Sequence, residues 1–282
     1  MVAVGNGFAA YQKGMFIPIM STFFMFWLYA APAARMSALQ KLRFIGIATH
    51  DAIGIGEDGP THQPIALASF YRALPDFNLV RPADAEEVVG AYLLALAEEN
   101  KPSLFALSRQ AVPLLPGSDR AGVAKGAYVI HGENGVNGDQ GSTADITLVA
   151  SGAEVARAVE TAKNLEKYYG FKTNVVSMPS MDHYDAQPLA YRRKTLPSTK
   201  SLVVAIEAYA SFGWAKYAHA GCHMHSFGHS APGPVLYEHF GFGVANLTKR
   251  IGEFAKGRKG ADGWDLPGVG EYEELLLGTA GH

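Results

Sequence analysis

Short apolar runs alternate with helical stretches along this chain, and that alternation narrows the folds open to it more than any other feature. Residues 44–48, 77–80 and 104–107 are mainly apolar runs of strand length. Between them, residues 64–74 and 85–99 carry helical patterning, with Asp84 placed as an N-cap and Glu86 and Glu87 in the first turn. The order returns at 146–150, 151–169, 173–178 and 202–206. Apolar strands separated by helices belong in parallel sheets covered on both sides. The expectation is therefore an α/β chain of two open parallel or mixed sheets with helices on both faces.

A Gly-, Pro-, Asn- and Ser-rich connection over residues 111–144, holding one strand at 127–130, separates the two units. This gives domains at 1–124 and 125–258 and a tail at 259–282. A helix starts at 214–218, two more follow at 234–240 and 244–254, and beyond residue 256 the chain reads as mobile apart from an acidic helical turn at 271–277. The 282 residues suffice for two cores. With 48% apolar and 18% charged residues the composition is globular, and a net charge of −2 leaves no electrostatic footprint for nucleic acid. Cys222 is the sole cysteine, so no internal disulfide can form and a reducing, cytoplasmic setting is expected.

At the N-terminal end, residues 1–14 read as a helix closed by Gly14, and 16–19 as a short buried strand. Phe23, Phe26 and Tyr29 then recur at helical spacing, and Ala33, Met36 and Leu39 continue the face. Such a row either packs in a core or offers flat surface to a heterocycle. Residues 15–34 carry no charge and are long enough to span a bilayer. Pro18, Ser21, Thr22 and Pro32 within that stretch favour a buried strand-turn-helix over a membrane span.

After the strand at 44–48 the apolar pattern stops. Residues 48–64 hold His50, His62, Asp51, Glu57, Asp58 and three glycines. A segment this polar belongs in a loop at a strand end, where open α/β sheets place ligands. Histidine there moves protons near neutral pH, and carboxylates orient it or bind hydroxyls. Read alone, the loop suits an acid–base site or a metal-dependent hydrolase. Arg109 leaves the strand at 104–107 as His50 leaves its own, so both should project from one sheet edge. The Ser151-Gly152 turn is a plain capping turn, since no phosphate-loop lysine accompanies it. His219, Cys222, His223, His225 and His229 are irregularly spaced and interrupted by Gly221 and Gly228, so a strand and turn is favoured there over a zinc site.

The run Ala-Thr-His50-Asp51-x-Ile-Gly-x-Gly56-Glu57-Asp58-Gly59-Pro60-Thr61-His62-Gln63-Pro64 resembles the signature of transketolases and dihydroxyacetone synthases. Further matches follow in order: Arg81-Pro-Ala-Asp84, Leu107-Ser-Arg109-Gln110, Lys125-Gly126-x-Tyr128, Gly152-x-Glu154, Val176-Ser-Met-Pro179 and Ala231-Pro-Gly-Pro-Val235. Together they cover residues 2–256. Tyr217-Ala-His219 and the histidine-rich run from His223 to His229 lean towards the dihydroxyacetone-synthase branch.

The resemblance implies an incomplete thiamine-diphosphate pyrimidine-binding domain followed by a transketolase C-terminal domain. The activity it implies is two-carbon ketol transfer from a ketose phosphate to an aldehyde. It assigns Phe23, Phe26 and Tyr29 to the cofactor's aminopyrimidine, His62 and His50 to catalysis at the carbonyl, Asp58 to a sugar hydroxyl, and His50 with Arg109 to the phosphate. The family's magnesium ligands, and the glutamate that activates the aminopyrimidine, would fall before residue 1, so this chain itself supplies no metal ligand. The expectation is a truncated form, inactive alone, completed as a homodimer or by a partner carrying the diphosphate-binding domain, with no nucleic-acid or membrane partner. Met20-Ser21, Pro32 and Ala66 depart from the family pattern, which has glycines at the first two places and glutamate at the third.

Overall fold

A computed structural model describes residues 1–132, 144–261, 263–268 and 270–276. Part of the expected connection, 133–143, and residue 277 of the expected last turn lie outside these. The first unit begins with α1 (Val2–Tyr11), β1 (Ile19–Phe23) and, after a 3-10 turn at Phe24–Phe26, α2 (Trp27–Leu39). Then come β2 (Ile45–Thr49), a 3-10 stretch at Ile53–Asp58, α3 (Leu67–Arg72), β3 (Asn78–Val80), α4 (Ala85–Ala97), β4 (Ser103–Leu107) and α5 (Arg120–Val123). All four strands are parallel, in the order β1-β2-β4-β3.

The second unit runs through β5 (Tyr128–His131), β6 (Ile146–Ala150), α6 (Glu154–Tyr169), β7 (Thr173–Ser177), α7 (Met181–Asp185), α8 (Leu189–Thr195) and β8 (Leu202–Ile206). It closes with β9 (Ala220–Cys222), α9 (Gly233–His239), α10 (Val244–Arg258), β10 (Lys259–Gly260), β11 (Gly263–Trp264) and β12 (Glu273–Glu274). Its sheet order is β12-β9-β8-β6-β7-β5, parallel except for the antiparallel β5.

Both faces of each sheet are covered, as the apolar strands require. Alternate residues of β4 enter different cores: Phe105 packs with Ala91 and Leu94 of α4, whereas Leu104 and Ala106 join the cluster that continues into the second unit. In the second sheet Leu148 and Val204 meet Val155 and Ala158 of α6, while Val149 and Val203 meet Tyr184 and Trp214 on the opposite side. Trp27 is fully buried, and its indole lies where a side chain on Gly46 would be, with ring carbons 2.6 and 2.8 Å from a Cβ built there. Asp84 caps α4 as its position predicts, accepting from the Glu87 backbone N–H.

Four expectations are corrected. The first strand is Ile19–Phe23 and not residues 16–19: β1 is the sheet's edge, paired only with β2, and an edge strand tolerates polar residues, so Ser21 and Thr22 stand exposed within it. The aromatic row is consequently not one helical stripe: Phe23 ends a strand, Phe26 lies in the 3-10 turn, and Tyr29 is in α2. The stretch from Trp214 is a three-residue 3-10 turn following Gly213 at φ 98°, while α7 and α8 carry no clear periodic signal. The tail is built into the second unit. Trp264 and Leu266 pack on the core, Leu276 is buried, and Glu273–Glu274 pairs in parallel with β9 where a helical turn was expected.

The uncharged stretch 15–34 forms a strand, a turn and the start of a helix, and among the described residues no helix is long and apolar enough to cross a membrane. Residues around Cys222 form a strand and turn, with the thiol buried in β9.

Candidate active site

The first sheet's register brings the candidate residues together. Phe23 pairs with Thr49, and Thr49 with Leu107, so the chain leaves β1, β2 and β4 at one level of the same edge. His50 takes a left-handed backbone with φ 63°, uncommon for a residue with a side chain. Its ring stacks on Phe23 with centroids 4.2 Å apart and planes 25° from parallel. Phe23 and Phe26 are parallel within 6° at 5.9 Å, and Tyr29 adjoins Phe26 at 6.2 Å. His62 closes the group, edge-on to Phe26 at 5.2 Å and to Phe23 at 5.9 Å. Its Nδ1 is 2.8 Å from the Thr61 hydroxyl.

Asp58, at the end of the 3-10 stretch, and Arg109, just past β4, are exposed and act on His50 through charge. Burial lowers the His50 pKa, the Arg109 cation lowers it further, Asp58 opposes both, and His62 adds to the lowering. His50 is therefore neutral at physiological pH, able to give or take a hydrogen bond. Its Nδ1 is buried without a hydrogen-bond partner among the described residues. All seven candidates thus gather at one edge: Phe23, Phe26, Tyr29, His50, Asp58, His62 and Arg109.

The aromatic row suits a flat ring. Phe23 and Phe26 are half-buried, and Tyr29 is 82% exposed, so aromatic surface is left open. Phe26 and Tyr29 also border a groove of about 530 Å³ in which Ser21 and Thr22 offer hydroxyls among apolar neighbours. Among the described residues no group of three or more His, Cys, Asp or Glu is placed to hold a metal ion. The histidines of the loop face aromatic rings, which is the arrangement of a stacking site.

A buried charge network supports this edge from behind. Arg81, fully buried, donates through Nε to Asp51 at 2.8 Å, and through Nη1 to the Ser151 carbonyl at 2.9 Å and to Glu154 at 2.5 Å. Its guanidinium lies 4.5 Å from the centre of the Tyr209 ring. Arg72 forms a two-pronged pair with Glu207, which also accepts from Trp214 Nε1 and the Ser151 hydroxyl. Further forward, Gln63 Nε2 donates to the His229 carbonyl at 3.0 Å and the Ser230 hydroxyl to the Glu57 carbonyl at 2.5 Å. The only sequence signal for these contacts was the position of Arg81 and Glu207 just after strands.

Residues 1–114 match the family model described as the transketolase pyrimidine-binding domain, and residues 126–243 that of the transketolase-like C-terminal domain. A dihydroxyacetone synthase of Candida boidinii is 46% identical over 260 residues, which are 92% of this chain and 35% of the relative. The chain thus spans about a third of the length of the curated relatives it matches. A transketolase structure from Leishmania mexicana superposes with a TM-score of 0.86 at 40% identity, covering 94% of this chain and 38% of that one. A structure described as a split gene transketolase, inactive beta4 tetramer, superposes with a TM-score of 0.65 at 25% identity, covering 89% of this chain and 79% of that one.

Proposed function

The chain belongs to the transketolase family, and on that premise we propose that it forms one wall of a site for ketol transfer from a ketose phosphate to an aldehyde. The observation that carries this reading is the stacked Phe23–His50 pair with His62 set edge-on beside it. Phe23, Phe26 and Tyr29 would hold the flat ring of thiamine diphosphate, which when bound supplies the electron sink for carbon–carbon cleavage. His62 and His50 hold or move a proton at the sugar carbonyl oxygen and its neighbouring hydroxyl. Asp58 accepts from a sugar hydroxyl, and Arg109 presents its planar fork to the phosphate.

Activity on this reading also needs polypeptide that binds the diphosphate and its magnesium. Two features support this: the chain's share of its relatives' length, and the likeness to a split-gene transketolase described as an inactive tetramer. The likeness to a dihydroxyacetone synthase favours a small aldehyde as one acceptor. A single unpaired, buried thiol suits a reducing compartment, and we place the chain in the cytoplasm.

The test is an assay of ketol transfer with thiamine diphosphate and magnesium, using the chain alone and the chain mixed with the diphosphate-binding domain of a relative. Transfer is expected only in the mixture. There Arg109→Ala should raise KM for a phosphorylated ketose by about 10- to 100-fold, the loss of one charged hydrogen-bonding pair. Transfer by the chain alone would overturn the need for a complement. An Arg109→Ala variant that lowers kcat at unchanged KM would overturn the phosphate assignment.

A further inference from the structure

The loop that carries His50, Asp58 and His62 contains only a 3-10 stretch of regular structure and no strand or helix of its own to fix it. Its ends are nevertheless held, and by the second unit. At the His50 end, Asp51 is bonded to Arg81, whose own backbone is captured by that unit: its N–H donates to the Pro179 carbonyl at 2.8 Å, and its carbonyl accepts from Gly152 N–H at 3.0 Å. At the His62 end, Gln63 is 98% buried and bonded to the His229 carbonyl. Between them, the Ser230 hydroxyl holds the Glu57 carbonyl.

We propose that Arg81, acting through Asp51, and Gln63 are positioning residues by which the second unit sets the placement of His50 and His62. A left-handed backbone at a non-glycine residue is strained and persists only where its surroundings over-determine it. The Asp51–Arg81 bond, one residue from His50, is that constraint. Gln63, one residue from His62, plays the matching part. The second unit thereby acts on the site without touching substrate. The inference rests on the proposed function only in calling these histidines catalytic.

The charges allow a clean test. Arg81 is fully buried and Arg72 only 11% exposed, both beside Glu154 or Glu207, so Asp51→Ala leaves two cations facing two carboxylates and should still fold. Histidine ring signals are read by NMR on the full chain, assigned with His50→Gln and His62→Gln. In the parent, Phe23 and Phe26 shift them by ring current. Asp51→Ala should return the His50 signal to the position of a free histidine, and Asp51→Asn, which keeps an acceptor for Arg81, should restore the shift. Gln63→Ala should move His62 and spare His50. Val176→Ala, which loosens the second unit's other core, a cluster that holds no residue of the loop, should move neither. Parent-like signals in both Asp51→Ala and Gln63→Ala, or equal movement in Val176→Ala, would overturn the proposal. Were Asp51→Ala not to fold, Arg81→Lys, which keeps the charge and loses the fork, gives the same reading at His50. No ligand or turnover enters this measurement, so it stands or fails separately from ketol transfer.

Discussion

Arg72 and Glu207 face each other across the two units through paired hydrogen bonds, Nη1 to Oε2 at 2.8 Å and Nη2 to Oε1 at 2.7 Å. Burial pushes the Glu207 pKa up, but Arg72 and then Arg81 pull it below the usual carboxylate range. Removing the carboxylate leaves Arg72 under-compensated and Trp214 Nε1 without its acceptor. Glu207→Ala is expected to destabilise the fold by about 3–5 kcal/mol, the cost of breaking a buried pair. Urea unfolding checks this. Glu86→Ala, which breaks the exposed pair with Arg120, is the contrast and should leave the midpoint where it was.

Asp51 behaves in the opposite way. Burial raises its pKa to about 6, against the pull of Arg81. A folded-state value above the unfolded one means that the folded protein binds this proton more tightly. The contribution to stability is complete at acid pH, below the ordinary aspartate range, and is lost as pH rises through 6. Asp51→Asn cannot ionise, so its stability relative to the parent should rise between about pH 4.5 and pH 7.5, by on the order of 2–3 kcal/mol. Paired denaturation curves at the two pH values measure the gap, and a gap that does not change would refute the assignment.

Glu98 adds a second pH dependence with the other sign. Its hydrogen bond with His183, reinforced by Asn78 and opposed by burial, holds its pKa down to about 2. Because the folded value lies below the unfolded one, this contact stabilises at neutral pH and is lost as pH falls from about 4.5 towards 2. Glu98→Gln should therefore lose less stability over that acid window than the parent does. Thermal melts stepped from pH 5 to about pH 2.5 resolve the difference.

Gly152 sits at the seam between the units. It has φ 58°, and a Cβ there would lie 2.7 Å from Arg81 Nε and 2.8 Å from its Cζ. Gly152→Ala combines a strained backbone with displacement of a buried guanidinium, and a loss of about 2–4 kcal/mol is expected. Unfolding should shift to lower urea, and the Asp51–Arg81 bond should open with it.

How much was legible in the sequence follows from where each signal resides. The buried parallel strands announced themselves, because a strand covered on both sides is apolar at nearly every position, as in β6, where Thr147 is the exception, and β8. The edge strand β1 did not, since Ser21 and Thr22 looked like a break when they were exposed residues of an edge strand. Glu273 and Glu274 misled in the same way, two charged residues on the far edge of the second sheet. Among the candidate site residues, His50, Asp58 and His62 could be grouped because they share one loop, whereas the sheet register is what brings Phe23 and Arg109 to the same edge. The charge network behind them was not legible. Arg81 and Glu154 are 73 residues apart and Arg72 and Glu207 are 135 apart, and charged residues after strands are ordinarily solvated, so nothing local marked them as buried partners.

Cys222 gives the chain a built-in clock. Its thiol sits within β9, fully buried, and burial moves its pKa far above that of a free cysteine. The reactive thiolate is thus withheld from a maleimide or a disulfide reagent as long as the second sheet stays closed. With no other sulfhydryl in the sequence to compete, the rate at which a thiol reagent consumes the protein reports how often that sheet opens. The same silence makes the native chain a blank background, on which one cysteine introduced at exposed Phe212 would be the sole fast-reacting target for a fluorescent or spin label.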